Sequence, residues 1–125
     1  MKMLAFFRRR ADLSPEEFRH YYEAHHAPLA LQLFPYLKGY RRNYVRRDQT
    51  HRRASGEAFA SALDYDVITE ITFASPRDYA RMQADMADPA IRDRVVADEQ
   101  CFMDRDATVV LLVEEEPAFP DTTAG

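Results

Sequence analysis

The sequence predicts an α+β fold in which helices cover one face of a four-stranded antiparallel sheet. Its 125 residues suffice for one domain. Along the chain, the spacing of the apolar residues alternates between the period typical of strands and the period typical of helices. A strand that runs into SPEEF-RHYY recurs later as a strand that runs into SPRDY-ARMQ. Two strand–helix–strand halves of this kind form a ferredoxin-like βαββαβ sandwich.

The first predicted helix, over residues 14–26, begins with a nearly complete start signal. Ser14 is a typical N-cap residue, Pro15 suits the first helical position, and Glu17 stands where a capping box has its acid. Pro28 is expected to disturb or end this helix, because proline lacks the backbone donor and clashes with the preceding turn. A further helical turn, ALQLF, is predicted to follow it.

The clearest predicted strand covers residues 65–73. One face carries Tyr65, Val67, Thr69, Ile71 and Phe73, and the other carries Asp66, Ile68, Glu70 and Thr72. The other predicted strands cover residues 3–9, 39–46 and 108–113, and the last is an apolar run of the kind found in buried strands. An exposed apolar sheet face is an association surface, so we expect a second copy to cover the face without helices.

Two further helices and one long loop complete the predicted order. The helices begin at Ser75 and at Asp88, each followed by proline, and Cys101 falls in the apolar-periodic stretch of the second helix, just before Phe102. We therefore expect Cys101 to be a small buried residue. The loop over residues 47–62 is longer than a hairpin needs, so it is predicted to move without ligand and to act as a lid or cross to a partner subunit.

Composition excludes several classes of function. A net charge of −4 argues against nucleic acid as the main partner, and the single cysteine fits a reducing cytoplasm. The apolar stretch at residues 3–7 is too short for a secretory signal, and no segment is long enough for a membrane span. The three histidines of the first helix lack metal-ligand spacing, and only three glycines are present. We therefore expect no metal and no cofactor.

The run FFRRRADLSPEEFRHYYEAHHAPLA resembles the start of EthD-domain proteins, which are part of the dimeric α+β-barrel superfamily. The segments YDVITEITFAS and FMDRDATVVLLVEE match later parts of the family in the same order. The resemblance implies one domain over residues 1–116, with residues 117–125 as a flexible tail. It also implies a homodimer, which closes a dimeric α+β barrel, and a hydrophobic pocket between helices and sheet in each subunit.

Two adjacent histidines are the main candidates for chemistry, since the ordinary pKa of histidine lies near neutrality. Helical periodicity favours His25, which shares a face with Phe18 and Tyr21. The family motif, with histidine two residues before proline, corresponds instead to His26. We take His26 as the general base or acid and His25 as a reserve that contacts substrate. The alternative is a histidine that only interacts with the last carbonyls and the dipole at a helix end.

Two carboxylates on the clearest strand form the second candidate group. Asp66 and Glu70 share a face about 13 Å apart, so each needs its own partner. Both match acidic positions of the family's D-x-x-x-E strand. If this face lies under the helices, Glu70 would orient His26 and raise its basicity. Asp66 is a candidate substrate contact and is expected to be solvent-exposed. The alternative places both in salt bridges on the dimer side.

Tyrosines are the remaining candidates. Tyr22 and Tyr40, and also Tyr21 and Tyr44, can supply phenolic donors to a substrate carbonyl or enolate, although such residues are more often part of the core. The leading interpretation is a cofactor-free cyclase, dehydratase or isomerase of a polyketide-like or lactone-like substrate. The alternatives are a cofactor-free or haem-directed monooxygenase and a non-catalytic binding or accessory protein of a catabolic pathway.

Overall fold

A four-stranded antiparallel sheet with helices on one face forms the structure, a computed structural model that describes residues 1–58 and 65–119. In chain order the elements are β1 (Lys2–Phe7), α1 (Pro15–Tyr21), a π-helical turn (Tyr22–His26), α2 (Ala27–Leu33), β2 (Gly39–Tyr44), β3 (Val67–Thr72), α3 (Pro76–Ala87), α4 (Pro89–Glu99) and β4 (Val109–Val113). No helix in the described ranges is long and apolar enough to cross a membrane.

The strand order β2-β3-β1-β4 is that of a ferredoxin-like sandwich, and every pairing is antiparallel. In the central pair, Ala5 lies opposite Thr69 and Phe7 lies opposite Val67, and all four are buried toward the helices. The alternation predicted for residues 65–73 is therefore confirmed over β3, whereas Tyr65 packs against Phe6 on the open face and Asp66 is buried. The predicted α+β fold with its four-stranded antiparallel sheet is also confirmed.

The first helix begins as the sequence predicts. The Ser14 hydroxyl accepts from the Glu17 backbone at 3.1 Å, and the Glu17 carboxylate accepts from the Ser14 backbone at 2.9 Å. The prediction that Pro28 disturbs the helix is confirmed in part, because a π-helical turn precedes it, but the chain then continues as α2 through Leu33. Pro28 lies in the first turn of α2, where a missing backbone donor costs little.

Aromatic rings fill the core between α1 and the sheet. Phe18, Tyr22 and Phe102 are fully buried, and the Tyr22 ring stacks on Phe7 with centroids 5.1 Å apart. Phe102 lies just after α4, so the chain there returns to the core. The prediction that nearby Cys101 is buried is wrong: it is exposed, and its thiol donates to the Ala97 carbonyl.

The prediction that the last strand is buried is wrong. Four of its five residues are exposed, with Val110 at 56% and Leu112 at 50%. The physical reason is position: β4 lies at the edge of the sheet, pairs only with β1, and is not covered on its outer side by any described element. A continuous apolar run therefore does not by itself show that a strand is buried.

The long loop is described only in part. A bridge between Arg52 and Ala58 closes a tight turn, in which Gly56 adopts the left-handed conformation with φ of 97°. Residues 59–62 of the predicted loop lie outside the described residues. Its proposed role as a lid or a crossing segment therefore stays a prediction.

Candidate functional site

An apolar cavity of about 260 Å³ lies between the sheet and the helices. Its apolar wall comes from the inner face of the sheet and from helices α2, α3 and α4, including Phe7, Ile71, Leu29, Met82 and Val95. Polar groups reach it at few places, chiefly His26, Tyr22, Tyr40, Thr69 and Glu99. A largely apolar cavity with a few convergent polar groups is typical of a small-molecule site.

His26 is the titratable group best placed in this cavity. It is buried to 6% exposure, and its Nδ1 lies 2.7 Å from the Asp98 carboxylate. A carboxylate only accepts, so Nδ1 carries the hydrogen and donates it. In its neutral form the ring then has an unprotonated Nε2, and no hydrogen bond to that atom is found within the described ranges. His26 therefore offers a lone pair at the wall of the cavity.

Asp98 holds this histidine from α4 and is itself held by a third group. The Tyr21 hydroxyl donates to its other carboxylate oxygen at 2.7 Å. Both oxygens of Asp98 therefore have a donor, which fixes the carboxylate as well as the imidazole. The sequence interpretation missed Asp98. The sequence pattern that could have indicated Asp98 is its position three residues after Val95 and four residues before Phe102, on the same helical face.

The π-helical turn explains why His26 rather than His25 faces the cavity. The Ala27 backbone donates to the Tyr22 carbonyl, five residues back, so each residue in this turn rotates less than in an α-helix. This smaller rotation keeps His26 in line with Tyr22 and Phe18. His25 is exposed, and its ring lies against Tyr21 with centroids 4.6 Å apart. The prediction from regular periodicity, that His25 reaches the pocket, is wrong.

Three hydroxyl groups meet at the floor of the cavity. The Tyr22 hydroxyl lies 2.7 Å from that of Tyr40 and 2.8 Å from that of Thr69. Burial raises the pKa of Tyr22 well above its ordinary value and raises the pKa of Tyr40 to about 12. Both phenols therefore stay protonated near neutrality, so this hydroxyl cluster can donate hydrogen bonds to a bound molecule.

Glu70 does not have the role predicted for it. Its side chain points to the open face of the sheet, away from the helices, where it accepts from Lys2 at 3.0 Å and from Asn43 at 3.1 Å. The hydrogen bond from Lys2 lowers the pKa of Glu70 below its ordinary value. The prediction that Glu70 orients His26 is wrong because the sheet separates them. The alternative, a salt bridge on the open face, agrees with the structure.

Asp66 is buried rather than exposed, which corrects a second expectation. Its carboxylate accepts from the Arg9 backbone at 3.0 Å and also binds the Arg47 guanidinium. The Arg9 side-chain Nε lies 3.2 Å away but lacks hydrogen-bond geometry. Asp66 is not part of the wall of the apolar cavity, so the structure gives it no contact with a molecule bound there. It joins the end of β1 to the start of the long loop.

Glu99 is a further carboxylate in the cavity wall that the sequence interpretation missed. It follows Asp98 at the end of α4 and forms an ion pair with Arg105 at 3.0 Å. Within the described ranges, no group of three or more His, Cys, Asp or Glu residues has the arrangement of a metal site.

Comparisons with known proteins identify the family. The sequence model of the EthD domain matches residues 10–106, whereas no curated protein matches the chain. Among solved structures, the solution structure of a hypothetical Arabidopsis thaliana protein is similar, with a TM-score of 0.53 and 19% identity over 96% of this chain and 89% of that chain. That identity shows a shared fold alone. Because the domain match spans most of the sequence, the chain belongs to the EthD-domain family.

Proposed function

We propose that this protein is a small-molecule enzyme that cyclises, dehydrates or isomerises a polyketide-like or lactone-like substrate by cofactor-free acid–base chemistry. The observation that supports this function best is the pairing of His26 with Asp98 at the wall of an apolar cavity. A general base needs a free lone pair, a fixed orientation and limited access to water. His26 has all three features.

The reactions in this group can share a first step. His26 Nε2 removes a proton from the carbon next to a carbonyl group, and the electron pair of that C–H bond passes to the carbonyl oxygen as an enolate. Asp98 stabilises the imidazolium that forms, as the carboxylate does in a catalytic triad. The imidazolium then returns the proton to another atom of the substrate. In an isomerisation, that atom is a carbon further along the conjugated system, and no other reactant is consumed.

Two features favour catalysis over a purely structural histidine. A histidine that only interacts with a helix dipole needs a helix C-terminus, but the chain continues beyond His26 into α2. A histidine in a binding protein could be held by a backbone carbonyl, but His26 is held by a carboxylate that is itself fixed by Tyr21. A charged partner of this kind fixes the tautomer and the orientation of the ring.

Isomerisation of angelica lactone tests this function. Removal of a proton next to its carbonyl and return to the far end of the double bond give the conjugated isomer, whose formation is followed by ultraviolet absorbance. We expect the wild-type protein to accelerate the reaction and His26→Gln to lose roughly 10²–10⁴-fold of that rate. The matched control is His25→Gln, which changes the exposed neighbour and should keep the rate. Equal rates for wild type and His26→Gln would contradict the proposed role.

We also infer that the working unit is a homodimer in which two sheets close a dimeric α+β barrel. The support is the exposure of β4, where Val109 is 39% exposed and Leu111 is 46% exposed on the face without helices. An apolar strand with a free edge is an association surface. A second copy of the chain would cover this surface with residues of the same kind.

A further inference from the structure

The hydroxyl cluster of Tyr22, Tyr40 and Thr69 has one more hydrogen than its internal bonds use. Each hydroxyl carries one hydrogen, and the structure contains two hydrogen bonds among the three groups, both made by Tyr22. Two of the three hydrogens therefore form the internal bonds. No other hydrogen bond of these three hydroxyls is found among residues 1–58 and 65–119. In every arrangement one hydroxyl hydrogen is left over.

Burial indicates which hydroxyl holds the spare hydrogen when a molecule binds. All three residues line the cavity, but Tyr22 and Thr69 are fully buried, whereas Tyr40 is only partly buried. If Thr69 donates to Tyr22 and Tyr22 donates to Tyr40, the Tyr40 hydrogen is free. This arrangement presents the hydrogen at the most accessible member of the cluster, and each bond strengthens the next along the chain.

We propose that Tyr40 donates a hydrogen bond to a carbonyl oxygen, so that the cavity selects apolar ketones and lactones over hydrocarbons of the same shape. The rest of the wall around the cluster is largely apolar, so it contacts the carbon skeleton of a bound molecule. A carbonyl held at Tyr40 places its neighbouring carbon in the cavity that His26 also lines. The inference rests on the proposed function, and it names apolar ketones and lactones as the substrate class of that function.

Binding of two compounds of matched shape tests the inference. Acetylnaphthalene carries a carbonyl oxygen, and ethylnaphthalene has the same skeleton without an acceptor. Calorimetric titration of the wild-type protein should show tighter binding of the ketone by about three- to tenfold, the range for one neutral hydrogen bond. Binding of neither compound, or equal binding of both, would overturn the inference.

Three variants locate the donor. Tyr40→Phe should abolish the preference for the ketone, since it keeps the ring and removes the hydroxyl. Tyr44→Phe is the matched control on the same strand face, because its hydroxyl donates to Glu23 at 2.7 Å and lies outside the cluster. Thr69→Val should keep the preference, since Tyr22 can still donate to Tyr40. A preference lost in Thr69→Val but kept in Tyr40→Phe would show that the donor is not Tyr40.

The inference and the proposed function can fail separately. Equal binding of ketone and hydrocarbon would overturn the role of Tyr40, even if the lactone is isomerised. Selective ketone binding without any isomerisation would instead leave a carbonyl-binding protein in which His26 is not a catalyst.

Discussion

Replacing Asp98 by asparagine removes the charge that holds His26 and keeps the shape of the side chain. The two carboxylate oxygens each accept one hydrogen bond of 2.7 Å, from His26 and from Tyr21. Asparagine has a single acceptor oxygen, so its side-chain NH2 group must face one of these two donors. If the amide faces His26, it donates to Nδ1 and forces the hydrogen onto Nε2. The lone pair in the cavity is then lost.

The expected magnitude follows from these contacts. We expect Asp98→Asn to reduce lactone isomerisation roughly 10²–10⁴-fold, because either the base has the wrong tautomer or the imidazolium lacks its counter-charge. Two charge-assisted hydrogen bonds also become neutral, each a loss of about 1 kcal/mol, so the free energy of unfolding should fall by about 2 kcal/mol. The Asp98 side chain is only 16% exposed, so solvent replaces little of this loss.

The measurement combines rate, stability and tautomer. Isomerisation and denaturant unfolding give the two magnitudes, and nitrogen NMR of the imidazole distinguishes hydrogen on Nδ1 from hydrogen on Nε2. Asp93→Asn is the matched control, since Asp93 lies on the same helix, is 74% exposed, and changes the net charge equally. A folded Asp98→Asn protein with the wild-type isomerisation rate would refute the assignment of Asp98 as the residue that positions the base.

Other expectations concern the open face, the hydroxyl cluster and the loop. Glu70→Gln should leave isomerisation unchanged. Because the pKa of Glu70 is lowered in the folded state, the free energy of unfolding of the wild type should fall more than that of this variant as pH falls below 4.5. The ketone preference of the wild type should persist to pH 10 and decline only as pH approaches about 12, where Tyr40 ionises. In sedimentation, the wild type should form a dimer that Leu111→Lys weakens, whereas a wild-type monomer at micromolar concentration would contradict the barrel. Hydrogen exchange in the loop over residues 47–62 should slow when acetylnaphthalene binds, and strong protection without it would indicate a fixed segment.

The sequence determined the secondary structure and its faces well, because both depend on short-range patterns. Strict alternation assigned the side chains of β3 to the correct faces, with Thr69 toward the helices and Glu70 on the open face. It failed just before the strand, where Tyr65 packs against Phe6 and Asp66 is buried. The capping box at Ser14 located the start of α1. The family motif directed attention to His26, which lies in the cavity wall.

The tertiary structure decided which residues act together. Asp98 is 72 residues from His26, and no local pattern relates two residues at that separation. The sequence pattern showed which residues share a face with Glu70, but it did not show which face the helices cover. Glu70 was therefore assigned to the wrong partner. Periodicity also assumed a regular α-helix, and a single π-helical turn moved the pocket position from His25 to His26. Local periodicity determines the direction of a side chain within its own element, whereas the packing of distant elements determines what that side chain meets.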